Sequence, residues 1–147
     1  SPKRAVSKLS MRDAKVNLIS YDQVLENLQN GLNLVLDARA SDRFRGKNET
    51  LDPIGGHIPN AKNHFFKNNL TDSGIFKSPS ELKSAFEEII GERSIEKIIC
   101  QCGSGVTACH NLLAMEIAGL SGAGLYAGSW SEWCAQPNAP VATGEAI

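Results

Sequence analysis

Two continuous apolar runs limit what this chain can fold into: LNLVLDA at residues 32–38 and KIICQ at residues 97–101. Both have strand length, and neither alternates apolar with polar residues. A strand with no polar face is one covered on both sides, the situation of a central strand in a parallel sheet. Helix-forming segments flank them. Ser20 reads as an N-cap for a helix over Tyr21 to Gln29, with Val24, Leu25 and Leu28 on one side and Gly31 as its stop. Ser78, Pro79 and Glu81 form a capping-box start, and Leu82, Phe86, Ile89 and Ile90 then fall on one helical stripe. A third helix is expected from about Thr107 to Ala118, apolar on most faces and so buried against a sheet, with Gly119 ending it. KVNLIS and AGLYAG read as short outer strands, SWSEW as a compact aromatic turn, and residues 39–69 as loop-rich. Strands alternating with helices predict an α/β domain around a parallel sheet.

With 147 residues, 41% of them hydrophobic, the chain has the size of one ordinary domain. Residues 1–14 are polar and aperiodic and read as an arm or linker, leaving 15–147 as the domain. A formal net charge of −1 offers no signal for nucleic acid or for an anionic membrane as partner. No run approaches the roughly 18 apolar residues of a membrane span, and no signal-peptide core is seen at the N-terminus. Four cysteines at uneven spacing do not resemble a secreted disulfide scaffold, so a reducing, cytoplasmic setting is expected.

Three of those cysteines lie in CQCGSGVTAC, residues 100–109, where the second apolar run meets a glycine loop and the third helix. Such a strand–loop–helix turn gathers main-chain N–H groups around one point and directs a helix N-terminus at it. Residues 103–107 are expected to wrap the side chain of Cys102, with Gly103 and Gly105 letting the backbone turn inward. An ordinary thiol is only about 3% ionised at pH 7, and lowering its pKa by two units corresponds to roughly 2.7 kcal/mol. Cys102 is therefore the candidate nucleophile. Cys100 and Cys109 read as buried packing thiols, with a reversible disulfide to Cys102 as the alternative, and Cys134 as a structural thiol. The spacing does not suit zinc, which favours paired C-x₂₋₄-C ligands, and no cofactor or metal is expected. A phosphatase-type C-x₅-R loop needs arginine where this chain has Ala108.

CGSGVTAC, preceded by LDARASDRFRG and GHIPNAKN and followed by LYAGSWSEW, resembles the rhodanese superfamily. The closer resemblance is to the catalytic C-terminal domain of tandem-rhodanese sulfurtransferases of the 3-mercaptopyruvate type. It extends from about Asn17 to PVATG and implies a central five-stranded parallel sheet flanked by helices. It also implies that a first rhodanese domain precedes residues 1–14. By this resemblance Cys102 carries sulfur as a persulfide, and the amides of Gly103, Ser104, Gly105, Val106 and Thr107 hold the substrate and the charged terminal sulfur. Ser104 matches a serine proposed to help proton transfer, and Arg43 matches an arginine for the donor carboxylate. A second arginine, usual in a longer proline-rich tract, is replaced here by GKNETLDPIGGH, with Asp52 or its neighbours in that region and Lys47 as the nearest substitute.

The neutral residues Gly103 and Ser104 favour a bulky, singly charged α-keto acid over the thiosulfate dianion. The expected donor is therefore 3-mercaptopyruvate, less so thiosulfate, with a thiol, cyanide or a thioredoxin-like protein as acceptor. The competing expectation is a relay module that takes persulfide sulfur from a partner protein. Of the remaining polar residues, Arg39 is expected to tie its loop to Asp37 or to a carbonyl, and Arg45 to be a surface residue. His57 is expected to be structural, and His64 and His110 to pack or be exposed. Trp130 and Trp133 are expected to pack over the sheet edge and form one wall near Cys102.

Overall fold

The computed structural model describes Ser10 and residues 16–145, so the expected arm or linker at 1–14 lies almost wholly outside the described residues. Two strands form the centre of the sheet, β1 (Leu34–Asp37) and β3 (Ile98–Gln101), paired in parallel over four positions. β2 (Lys62–Asn63) pairs with the free edge of β1 and β4 (Gly124–Leu125) with the free edge of β3, giving the order β2-β1-β3-β4, all parallel. The five-stranded expectation needs correction. KVNLIS contributes only one parallel bridge, Leu18 to Leu125, and four strands form the sheet among the described residues.

All eight residues of β1 and β3 are buried, as an unbroken apolar run requires. Their alternation divides the core in two. Leu34, Leu36, Ile98 and Cys100 face helices α3 (Pro79–Ile90) and α4 (Val106–Ile117). Val35 and Ile99 face the other side, with Val24 of α1 (Tyr21–Asn30) and the aromatic group of Phe44, Tyr126, Trp130 and Trp133. Both tryptophans are fully buried, which agrees with core packing over substrate contact as the expected role.

The predicted helix starts hold. Ser20 and Ser78 each accept from the N3 amide while Gln23 and Glu81 return the bond, closing two capping boxes. Two short helices were not foreseen: α2 (Ser41–Phe44) and α5 (Ser129–Ala135), the latter replacing the expected aromatic turn. α4 also departs from expectation. Val106, Cys109 and Leu113 are exposed along one face of it, so Cys109 is not the buried packing thiol that helix apolarity suggested.

The connection leaving β1 goes to one side of the sheet and that leaving β3 to the other. Their carboxyl ends therefore flank the switch point of the topology, the crevice where open α/β sheets place ligands. Asp37 ends β1 there, Arg39 and α2 follow it, and Cys102 follows β3.

Candidate active site

Cys102 sits one residue beyond β3, and its backbone is fastened to the start of α5. Its N–H donates to Ser129 Oγ at 3.1 Å, and its carbonyl accepts from the Trp130 N–H at 3.0 Å. The carbonyl of Gly103 accepts from the Ser131 N–H at 2.9 Å. Ser129 holds φ +54°, a left-handed value for a residue with a Cβ, and its hydroxyl donates onward to the Tyr126 carbonyl at 2.8 Å. α5 thus works as a clasp on the cysteine loop. Nothing local in SWSEW announces that role, because the bond partners lie 27 residues away.

The loop turns into α4 at Gly105, where φ is +84° and an added Cβ would stand 2.6 Å from the carbonyl oxygen of Ala127. Glycine is required at this one position. Gly103 differs from expectation, since a Cβ there meets only the Arg43 guanidinium, at 3.6 Å. No side chain caps α4, and the N–H groups of residues 103–105 donate to no acceptor among the described residues. The first-turn amides of the helix have no acceptor within the helix either. The result is a run of unengaged donors beside Cys102, a setting that favours negative charge.

A pocket of about 290 Å³ opens at this loop, lined by Arg43, Leu51, Asp52, Cys102, Gly103, Ser104, Val106, Thr107 and Ser131. Arg43 and the loop residues 102–107 singled out from the sequence line it, except Gly105, which shapes the loop from behind. Cys102 is 1% exposed and also belongs to the apolar cluster under α4, so its side chain forms the floor of the pocket. Leu51 and Asp52 fall in the stretch that replaces the second arginine, where Asp52 or its neighbours were expected, whereas Ser131 was not anticipated as a pocket residue. Lys47 is exposed and does not line it.

Burial acts on two of the other thiols. Cys100 is fully buried with its sulfur 4.0 Å from Met115 Sδ, and burial pushes its pKa up to about 12, so it stays a thiol at neutral pH. Burial likewise pushes the Cys134 thiol up. All four cysteines are free, and no group of three or more metal-ligating side chains occurs among the described residues. Ala108 is fully buried, so the phosphatase position offers no cation.

The arginines divide as the loop geometry dictates. Arg39 is an internal brace: it meets Asp37 through Nε and Nη2, donates to the Gly56 carbonyl at 2.7 Å, and lies over the Trp130 ring. Arg43 faces the pocket, but Glu49 holds it through two bonds, Nη2 to Oε1 at 2.9 Å and Nε to Oε2 at 3.1 Å. Asp52 Oδ2 stands 3.4 Å from the same Nη2, while Asp52 Oδ1 accepts from Ser131 Oγ at 2.6 Å. Burial alone would raise the Glu49 carboxyl, but Arg43 and the amides of Leu51 and Asp52 outweigh it and hold the group below the usual carboxylate range. Arg45 pairs with Glu145 near the surface.

The histidines are structural. His57 stacks on Phe44 at 3.7 Å and its Nδ1 meets the Phe44 carbonyl at 2.8 Å. His64 and His110 join Asn69 and Asn111 in a polar network under α4.

The Rhodanese-like domain model matches residues 20–136. The chain belongs to the rhodanese family. It is 50% identical over 117 residues, 80% of its length, to the probable 3-mercaptopyruvate sulfurtransferase of Pseudomonas aeruginosa. It is 38% identical over 149 residues, 98% of its length, to the thiosulfate sulfurtransferase of Rattus norvegicus. The cryo-EM structure of the yeast mitochondrial complex I sub-stoichiometric sulfur transferase subunit superposes on 87% of the chain with a TM-score of 0.71 and 35% identity. This rhodanese chain spans less than half of each of these relatives: 41% and 49% of the two curated proteins, and 46% of the solved one.

Proposed function

We propose that this rhodanese domain is a sulfurtransferase in which Cys102 carries the sulfur. The observation that supports it most is position: Cys102 floors a pocket that also presents an arginine and the uncapped start of α4. With 3-mercaptopyruvate, the Cys102 thiolate attacks the donor thiol sulfur. An S–S bond forms, the C–S bond breaks, and its electron pair stays on the carbon as the pyruvate enolate. The proton of the donor thiol ends on that carbon, with the pocket hydroxyl of Ser104 as its carrier. The products are pyruvate and a Cys102 persulfide anion, held by the amides of residues 103–107. An acceptor thiolate then takes the terminal sulfur and Cys102 leaves as thiolate, which closes the cycle.

Arg43 is the group for the donor carboxylate, and Gly103 and Ser104 add no positive charge to the loop. That balance suits a monoanion better than a dianion, which places 3-mercaptopyruvate ahead of thiosulfate. The names of the relatives include both donors. The second reading is a relay module loaded by a partner protein's persulfide. It is favoured by one observation, the hold of Glu49 and Asp52 on Arg43.

The test is intact-mass measurement after incubation with each donor. The expected result is one added sulfur, lost on adding a thiol acceptor, and no adduct in Cys102→Ser. Unchanged mass with both small donors but loading from a protein persulfide selects the relay. An adduct that persists in Cys102→Ser overturns both.

A further inference from the structure

The pocket beside Cys102 holds more negative charge than a site for anions needs. Two guanidinium groups lie in its wall and behind it, Arg43 and Arg39, against three carboxylates, Asp37, Glu49 and Asp52. Asp37 and Glu49 are almost wholly buried and serve the arginines as fixed counter-ions. Asp52 is different. It lines the pocket itself, and it spans two elements, with one oxygen on Arg43 Nη2 and the other on Ser131 Oγ at the start of α5. Its 3.4 Å approach to Arg43 is looser than the 2.9 Å contact of Glu49, and it is made to the same nitrogen. An anionic ligand that turns toward Arg43 must therefore share that guanidinium with a carboxylate already facing it.

We propose that Asp52 is a specificity-determining residue, a charge filter that discriminates against anionic donors at Cys102 in proportion to their charge. The inference rests on the reading of this pocket as the donor site. Its physical basis is that the repulsion between a fixed carboxylate and a ligand grows linearly with ligand charge. A dianion such as thiosulfate meets twice the penalty of a monoanion, and a neutral sulfur donor meets none. The Ser131 hydroxyl fixes the carboxylate at the pocket wall, so solvent does not carry it away.

The test measures anion binding without requiring sulfur transfer. In a Cys109→Ser background, the neutral reagent methyl methanethiosulfonate labels Cys102, located by fragment mass spectrometry. Protection by sulfate and by pyruvate, at constant ionic strength, gives an apparent dissociation constant for each. Asp52→Asn keeps the shape and an oxygen for Ser131 but removes the charge. It is expected to tighten pyruvate binding about threefold and sulfate binding about tenfold, the second factor being near the square of the first. Asp52→Ala is the second variant and is expected to show the same order. Adding Arg43→Gln to Asp52→Asn is expected to erase the gain. Equal factors for the two anions, or no tightening in either variant, overturns the filter. A protein that binds both anions with this charge gradation yet takes up no sulfur sinks the sulfurtransferase reading and leaves the filter standing.

Discussion

Gly105 makes the tightest demand of any residue in the loop, and it can be set directly against its neighbour Gly103. At Gly105 a side chain faces two costs: a left-handed φ, worth about 1–3 kcal/mol when forced on other residues, and a contact of 2.6 Å with the Ala127 carbonyl. Gly105→Ala is expected to lose roughly 2–4 kcal/mol of stability in urea unfolding. Gly103→Ala has neither cost, and its Cβ finds an ordinary 3.6 Å contact with Arg43, so a loss below about 1 kcal/mol is expected. Similar losses in the two variants would show that the turn is not where the strain lies. The sequence announced Cys102 and the loop amides because one strand–loop–helix turn determines them, whereas Arg43 came only from the rhodanese resemblance of LDARASDRFRG. It put Asp52 or its neighbours where the second arginine is missing but did not disclose the bond to Ser131, because their meeting depends on how that loop reaches α5, 79 residues on. Nor did it show that Glu49 engages Arg43, since only the folded path of residues 44–52 brings that carboxylate round.

Among the elements, α4 carries the loop amides, so whatever fixes α4 against the sheet also fixes the site. Asn111 donates to the His64 carbonyl at 3.0 Å and accepts from Asn69 at 2.8 Å. Asn69 Oδ1 meets His64 Nε2 at 2.8 Å, and Asn69 Nδ2 also reaches His110 Nδ1 at 3.2 Å. One amide thus satisfies three side chains. Asn69→Ala leaves them without it, and a loss of about 3 kcal/mol is expected, at 1–3 kcal/mol for each buried polar group left unpaired and less than additive. Denaturant unfolding measures it, and a loss under about 1 kcal/mol would mean that these groups find other partners. The helices differ in legibility for a physical reason. α1 and α3 are announced by Ser20 and Ser78, whose capping bonds close within three residues. α5 has no side-chain cap and begins at the left-handed Ser129, so its start is fixed by Cys102 rather than by its own sequence.

For the molecule as a whole, the same burial that covers both sheet faces depresses three histidines, and this makes stability depend on pH. Burial is the largest cause for His57, His64 and His110, and it lowers each below the ordinary histidine value near 6.5. The network agrees with neutral rings, because Nδ1 of His110 accepts from an amide and a proton there would face another donor. The sign follows from proton counting. Below pH 6.5 the unfolded chain binds protons that the folded chain refuses, so stability is complete above 6.5 and falls as pH drops through the depressed folded values. Each histidine contributes a slope of at most about 1.4 kcal/mol per pH unit. Glu49 adds a second loss, which begins below its ordinary value of 4.5 and is complete once the lower folded value is passed. Unfolding free energies at pH 7.5, 6.0 and 5.0 are expected to decline in that order. His64→Gln, which keeps an N–H for Asn69, is expected to flatten the decline. Stability that is level or rising from pH 7.5 to 5.0 contradicts burial as the cause, and an unchanged slope in His64→Gln removes His64 from it.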